Sequence, residues 1–401
     1  MEIMSSKSGR QERAPAARSS SARPREVGLD LLRLVAVLLV LGRHIWDPPD
    51  SLGDGWRTAI GAWNRGGWVG VDLFFVLSGF LVSGLLFAEY KSFGRLSIDR
   101  FVIRRGFKIY PPLWTLIAVT VTLYLVNGLP VPRLGLASEL LFWQSYVPGL
   151  WEHTWSLGVE EHFYLVLALL MVMTLRLNRS SRAPLRPMLF VAGGCAVLGL
   201  GARWLTWRIH PTYNHLTHLF ASHLRFDALF FGVAISYAYH FHTERFVAHL
   251  RPWRVPLLLG GILLLLPPFL VSLESTPFMF TIGLTHFYLG SGMLLVGTIL
   301  SEIPRTGPIR VLALLGASSY SIYLWHLPFR TLGVQAIERL CGTTFPFGVA
   351  VPVYVLGSVM MGYLMARLVE KPSLAIRDRW FPGRGRGPIE ARTNLEEQRA
   401  A

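Results

Sequence analysis

The chain has 401 residues; 52% are hydrophobic, only 16% are charged, and the formal net charge is +15. So little charge excludes an ordinary soluble globular protein. The surplus Lys and Arg fall between apolar runs, where they read as membrane-topology signals and not as a nucleic-acid surface.

Residues 1–26 are rich in Ser, Arg, Ala and Pro and hold no apolar run. They read as a disordered, basic, cytoplasmic tail, with no cleavable signal. The first apolar stretch, GLDLLRLVAVLLVLGRHIW over 28–46, reads as one spanning helix. Arg33 and His44 interrupt it, eleven residues apart. At about 100° per residue they share one helical face, ~16 Å apart along the axis. An ionisable residue inside a span is costly and points to function, although snorkelling to the headgroups is the plainer alternative. Further spans are expected at 68–88, 108–127, 156–175, 188–206, 218–239, 254–271, 281–300, 310–330 and 347–368. The fold class is therefore an all-α integral membrane protein, a bundle of about ten transmembrane helices.

Loop charges alternate along this series. The tail carries Arg10, Arg13, Arg18, Arg23 and Arg25, and the second connection carries Lys91, Arg95, Arg100, Arg104, Arg105 and Lys108. The fourth, sixth and eighth connections and residues 371–401 are also basic, whereas the alternate loops hold acids such as Asp47, Asp50, Asp54 and Glu274. This places both termini in the cytoplasm of a multi-pass protein of the cell membrane. The two cysteines, Cys195 and Cys341, have no metal-ligand spacing, so neither a metal site nor a disulfide framework is expected.

That orientation brings several polar groups to the depth of His44. Asp72 lies early in the second span; His153, Trp155, Ser156, Glu160, Glu161 and Tyr164 open the fourth. Arg225 and Asp227 open the sixth, where they can simply pair to pin two helices, and His326 ends the ninth. Convergence from separate helices predicts a polar chamber in the outer half of the bundle. On the inner side, Arg104, Arg105 and Lys108 stand at a helix entrance, before a start interrupted by Pro111 and Pro112. They read as a positive-inside anchor or as a seat for an anionic ligand such as a nucleotide phosphate. No Gly-rich phosphate cradle and no Gly-x-Ser-x-Gly elbow occurs, so the reading is direct transfer from an activated donor to a hydroxyl, with histidine as general base.

These stretches together resemble membrane acyltransferase family 3, a family of integral-membrane O-acyltransferases. The resemblance rests on Arg33-x10-His44, VGVDLFFVLSGFL, RRGFKIYPPLW, HTWSLGVEEHFYL, LRFDALFFG, SYSIYLWH and VEKP at Val369–Pro372, which follow in order along most of the chain. It implies transfer of an acetyl or other acyl group from acyl-CoA to a carbohydrate or glycosylated acceptor: cell-surface polysaccharide, lipopolysaccharide, peptidoglycan or a macrolide sugar. It implies an acyltransferase domain over 27–370, acyl-CoA as donor substrate and no bound cofactor. His44, Arg33 and Glu160 would be catalytic, with His44 the general base and Glu160 its orienting carboxylate. Arg104, Arg105 and Lys108 would meet the CoA phosphates. Lys108 departs from the family's usual second Arg, and His162 stands where Gln is more frequent. Some relatives carry an extra esterase-like domain, which is not expected in a chain ending about thirty residues after its last span. The competing class is a transporter or flippase for a glycolipid or acylated substrate; the absence of repeat symmetry counts against it.

Overall fold

Leu, Val, Phe and Ala runs without regular alternation make helices, and in lipid a helix satisfies its own backbone. The computed structural model describes residues 27–383, so the expected N-terminal tail lies outside the described residues. All described regular structure is helical, as expected. In chain order the helices are α1 (Val27–Arg43), α2 (Asp54–Gly66), α3 (Gly70–Phe93), α4 (Ile98–Val126), α5 (Arg133–Leu140), α6 (Trp155–Leu177) and α7 (Pro187–Ile209). Then follow α8 (Phe226–Phe241), α9 (Thr243–Leu250), α10 (Arg254–Leu264), α11 (Pro267–Leu270), α12 (Pro277–Phe280) and α13 (Ile282–Ile299). The last five are α14 (Gly307–Ala317), α15 (Ser319–Pro328), α16 (Val334–Cys341), α17 (Phe347–Met365) and α18 (Lys371–Trp380).

Among the described residues, 7 helices are long and apolar enough to cross a membrane. The expected first, sixth and ninth spans are not among them. α1 has 17 residues and ends at Arg43. α8 has 16, because its expected first turns form separate π and 3-10 turns at Leu216–Phe220 and Ser222–Leu224. The ninth run is divided at Ser318 into α14 and α15, and a π turn at Phe329–Gly333 follows Pro328. π turns of this kind recur where side chains must be re-aimed at a site.

α4 also differs from expectation. Pro111 and Pro112 sit well inside a continuous helix of 29 residues and do not delay its start. Pro111 has no N–H for the carbonyl four residues back, Phe107 O. The Ser373 hydroxyl donates to that carbonyl at 2.6 Å, and the Tyr320 hydroxyl donates to Ile109 O at 2.8 Å. The Ser373 side chain therefore supplies the bond that Pro111 forfeits. Ser373 belongs to α18, so the segment read as the start of the C-terminal tail is helical and docks on α4.

α3 forms the centre, buried on most of its surface and packed closely on α8, α1 and α13. The α3–α8 crossing depends on two glycines. A Cβ at Gly79 would lie 1.9 Å from Leu229 O, and one at Gly232 would lie 2.3 Å from Val76 O. Small residues at such crossings let the helix backbones touch, which is how helices gain packing energy in lipid. Peripheral helices turn Leu198, Leu263, Leu356 and Met360 outward. These exposed apolar side chains are what a lipid-facing surface requires.

Candidate active site

His44 stands just past the last turn of α1, where helix carbonyls lose their partners. Side chains from two other helices bond to carbonyls on both sides of this end. Trp63 Nε1 donates to Leu38 O at 3.0 Å, Tyr354 Oη to Leu41 O at 3.2 Å, and Asn64 Nδ2 to Ile45 O at 2.6 Å. Trp63 lies so close to α1 that a Cβ at Gly42 would overlap its indole at 1.8 Å. α2 and α17 thus lock the chain on both sides of His44.

The His44 ring lies 5.0 Å from the His326 ring, and His326 lies 4.9 Å from His153. His153 and His326 are buried, and His44 is half-buried. Tyr323 ties the cluster together: its hydroxyl donates to His153 O at 2.6 Å and accepts from Ser156 Oγ at 2.7 Å. His44 and His153 open on a cavity of about 360 Å³, together with Trp155, Arg225, Tyr323, Trp68, Phe220 and Glu152. A second cavity of about 460 Å³, lined by Arg57, Arg65, Ser272 and Glu274, shares Arg43, Asp47 and Asn64 with the first. The space therefore continues from the histidines towards the exposed residues of α2. Volumes in this range suit small-molecule or saccharide-sized ligands.

Behind the cavity, two buried ion pairs fix the helices. Arg225 Nη2 meets Asp72 Oδ1 at 2.7 Å, joining the start of α8 to α3. Asp227 Oδ2 meets Arg203 Nη2 at 2.8 Å, joining α8 to α7, and Arg203 also donates to Leu224 O and Thr285 Oγ1. Arg225 and Asp227 thus do not pair with each other, as the sequence allowed; each reaches a different helix. Arg203 was not singled out, although an arginine within the fifth apolar run was a visible signal.

Glu160 was expected beside His44. In the structure its Oε2 instead accepts from the Tyr164 hydroxyl at 2.6 Å, and that hydroxyl accepts from Arg105 Nη2 at 2.6 Å and from Ser78 Oγ at 2.8 Å. The reason is helical register: Glu160 and Tyr164 are one turn apart on α6 and face the arginine of α4. Glu161, one residue on, turns to the Tyr110 hydroxyl at 3.2 Å. Arg33 sits one turn from Asp30 and pairs with it at 3.1 Å. Its charge acts on both Glu160 and Lys108, so Arg33 belongs to this second cluster.

Lys108 is paired with Glu370, whose other oxygen accepts from Ser321 Oγ at 2.7 Å. Arg104 donates to Phe381 O and pairs with Asp378 at 3.0 Å. Of the three expected donor-binding cations, two therefore hold the C-terminal segment against α4. Glu370 lies in the quoted VEKP stretch without having been assigned a role, and a π turn at Ala366–Glu370 aims it inward. No group of three or more metal-ligating side chains occurs among the described residues.

An all-α, multi-pass membrane protein with a histidine-lined chamber and a separate Arg–Tyr–Glu cluster is the class this architecture defines. A family model described as an acyltransferase domain matches residues 26–367, and the chain belongs to that acyltransferase family, as its motifs implied. It is similar to the peptidoglycan O-acetyltransferase OatA of Listeria monocytogenes, 28% identical over 77% of this chain and 50% of the relative. It is likewise similar to the putative O-acetyltransferase SACOL0978 of Staphylococcus aureus, 28% identical over 75% of this chain and 50% of the relative. The putative peptidoglycan O-acetyltransferase YrhL of Bacillus subtilis is 25% identical over 78% of this chain and 49% of the relative. The chain thus spans about half the length of these curated relatives. No solved structure matches it.

The buried Asp72–Arg225 pair makes a direct prediction. Asp72→Asn leaves a buried guanidinium without its counter-charge and should cost about 3–5 kcal/mol. Thermal unfolding in detergent reads this as a clear fall in Tm. Replacing both residues, Asp72→Leu with Arg225→Met, should lose much less than the single change. A double variant at least as unstable as the single one would show that the pair is not what holds α3 to α8.

Proposed function

We propose that this protein is an O-acetyltransferase that moves an acetyl group from acetyl-CoA, or a related acyl-CoA, to a hydroxyl of a cell-envelope glycan, with a peptidoglycan sugar as the leading acceptor. The observation that carries this reading is the two-ended polar arrangement along α1. His44 stands at one end beside an open cavity lined by Trp68, Trp155 and Tyr323, rings suited to the apolar faces of sugars. Arg33 stands nearer the other end, in electrostatic reach of Glu160 and of Lys108 on the basic entrance of α4. The relatives' names, with peptidoglycan among them, support the acceptor class.

In this reading the CoA moiety enters from the cytoplasm along Arg105 and Lys108, and its thioester reaches up the bundle to His44. A neutral His44 nitrogen takes the proton of the acceptor hydroxyl as that oxygen attacks the thioester carbonyl carbon. The carbon–sulfur bond breaks, and the leaving thiolate takes the proton from the His44 imidazolium. The products are an acetyl ester and free CoA thiol, with no net proton released. Arg105, held by Tyr164 and Glu160, meets phosphate oxygens, for which a guanidinium fork is suited. Lys108 contributes its charge from its pairing with Glu370.

The cytoplasmic termini follow from the charge alternation and have their own test. Cys341 is exposed at the end of α16, in the connection between the ninth and tenth apolar runs that this orientation places outside. In intact cells expressing a Cys195→Ser variant, a membrane-impermeant maleimide should label Cys341. Labelling only after the membrane is opened would reverse the topology.

The catalytic assignment predicts that His44→Gln, which keeps size and polarity without basicity, loses about 10²–10⁴-fold in acetyl transfer at equal expression. The measurement is CoA-thiol release by purified protein given acetyl-CoA and soluble peptidoglycan fragments. A His44→Gln variant retaining more than about a tenth of wild-type activity would contradict the assignment of His44 as base.

A further inference from the structure

A general-base histidine needs a group on its far nitrogen to fix its tautomer and to support the charge it gains. No carboxylate takes that place. The groups whose charges act on His44 are His153, Arg43 and Arg330. Glu160, the expected carboxylate, is committed to Tyr164.

The neighbouring ring supplies a candidate. His326 Nδ1 lies 2.5 Å from Tyr323 O, and a carbonyl only accepts, so Nδ1 carries the hydrogen. In the neutral ring this leaves Nε2 as an unprotonated acceptor. That atom is buried and has no hydrogen-bond partner among the described residues. His153 is fixed the opposite way: its Nε2 lies 3.1 Å from Leu324 O, which leaves Nδ1 as a second buried acceptor without a partner. Two backbone carbonyls on successive residues of α15 thus orient two histidines so that each presents a bare lone pair. A buried acceptor without a donor is costly and calls for a hydrogen from nearby. The His44 ring, which carries an N–H when neutral, lies 5.0 Å from the His326 ring centroid to centroid, on the side where the cluster opens to the cavity.

We propose that His326 is the positioning residue of His44: its Nε2 accepts the ring N–H of His44 and so fixes which His44 nitrogen faces the acceptor hydroxyl. The contact closes when substrate seats His44, as catalytic hydrogen bonds often do. When His44 takes the hydroxyl proton, its other N–H stays on His44, and the bond to His326 strengthens as the ring becomes an imidazolium. The proton then leaves to the thiolate and none is stored on His326. His326 itself is fully buried and does not line the cavity, so it acts through His44 and not on substrate. This inference rests on His44 being the base.

The test uses two isosteric variants of the full chain. In His326→Asn the amide can still donate to Tyr323 O but nothing stands at the Nε2 position. In His326→Gln the amide oxygen can reach that position. His326→Asn should lower kcat by about 10²-fold or more with KM nearly unchanged, and His326→Gln should recover most of it. Adding His326→Asn to His44→Gln should cause little further loss, since the two act as one unit. Equal kcat in the Asn variant and wild type, both with wild-type Tm, would overturn the proposal, as would equal losses in Asn and Gln variants.

A second measurement does not need turnover. ¹⁵N spectra of histidine-labelled protein in lipid with soluble peptidoglycan fragment bound, with the His44 signal assigned by its loss in His44→Gln, report the His44 tautomer. A single tautomer in the wild type that becomes a mixture in His326→Asn supports the inference. An unchanged His44 tautomer in His326→Asn overturns it. The tautomer change in His326→Asn, together with no transfer from acetyl-CoA by the wild-type protein, would instead count against the donor or acceptor reading alone.

Discussion

A bilayer offers no partner to a carbonyl or charge left unpaired within it, and the structure is arranged around that constraint. The end of α1 shows it most directly. Trp63, Asn64 and Tyr354 donate to Leu38 O, Ile45 O and Leu41 O on both sides of that end. Those bonds hold α2 and α17 against α1 and leave His44 in one place. The same rule accounts for Ser373 on Phe107 O, which lets α4 continue through two prolines and docks the C-terminal helix. It accounts as well for the Asp72–Arg225 and Arg203–Asp227 pairs, each of which crosses between helices. Positioning of the site and satisfaction of the backbone are one problem here, solved by the same side chains.

Much of this was legible from the residues. Long apolar runs give helices, and a lone His or Arg within one marks a place where burial must serve a purpose. The gathering of His44, His153 and His326 followed from their similar depth in three runs. Depth, however, says nothing of azimuth across helices. Glu160 read as sharing the depth of the chamber, yet its turn of α6 faces Arg105, and only packing decides that. Arg225 and Asp227 stand two residues apart, which on a helix puts them on different faces. Each therefore reaches its own partner, and sequence spacing could have said so.

Lys108 and Arg104 teach a related point. A basic cluster at a helix entrance does not show how many of its charges are free. Lys108 already neutralises Glu370, and Arg104 holds Asp378 and Phe381 O. These partners lie more than 260 positions away in the chain, beyond any local pattern. They also give a reason for the C-terminal segment to pack on this end of α4: it closes a basic entrance that would otherwise repel itself.

The central proposal is that one bundle carries a thioester from a basic entrance to a histidine just past the end of the helix that carries Arg33. The most direct measurement is a cryo-EM structure of the His44→Gln variant in lipid with acetyl-CoA bound. The account predicts CoA phosphates beside Arg105, the pantetheine arm running past Arg33, and the thioester carbonyl next to residue 44 and the Trp155–Tyr323 cavity. CoA bound elsewhere, or with its thioester remote from residue 44, would contradict it.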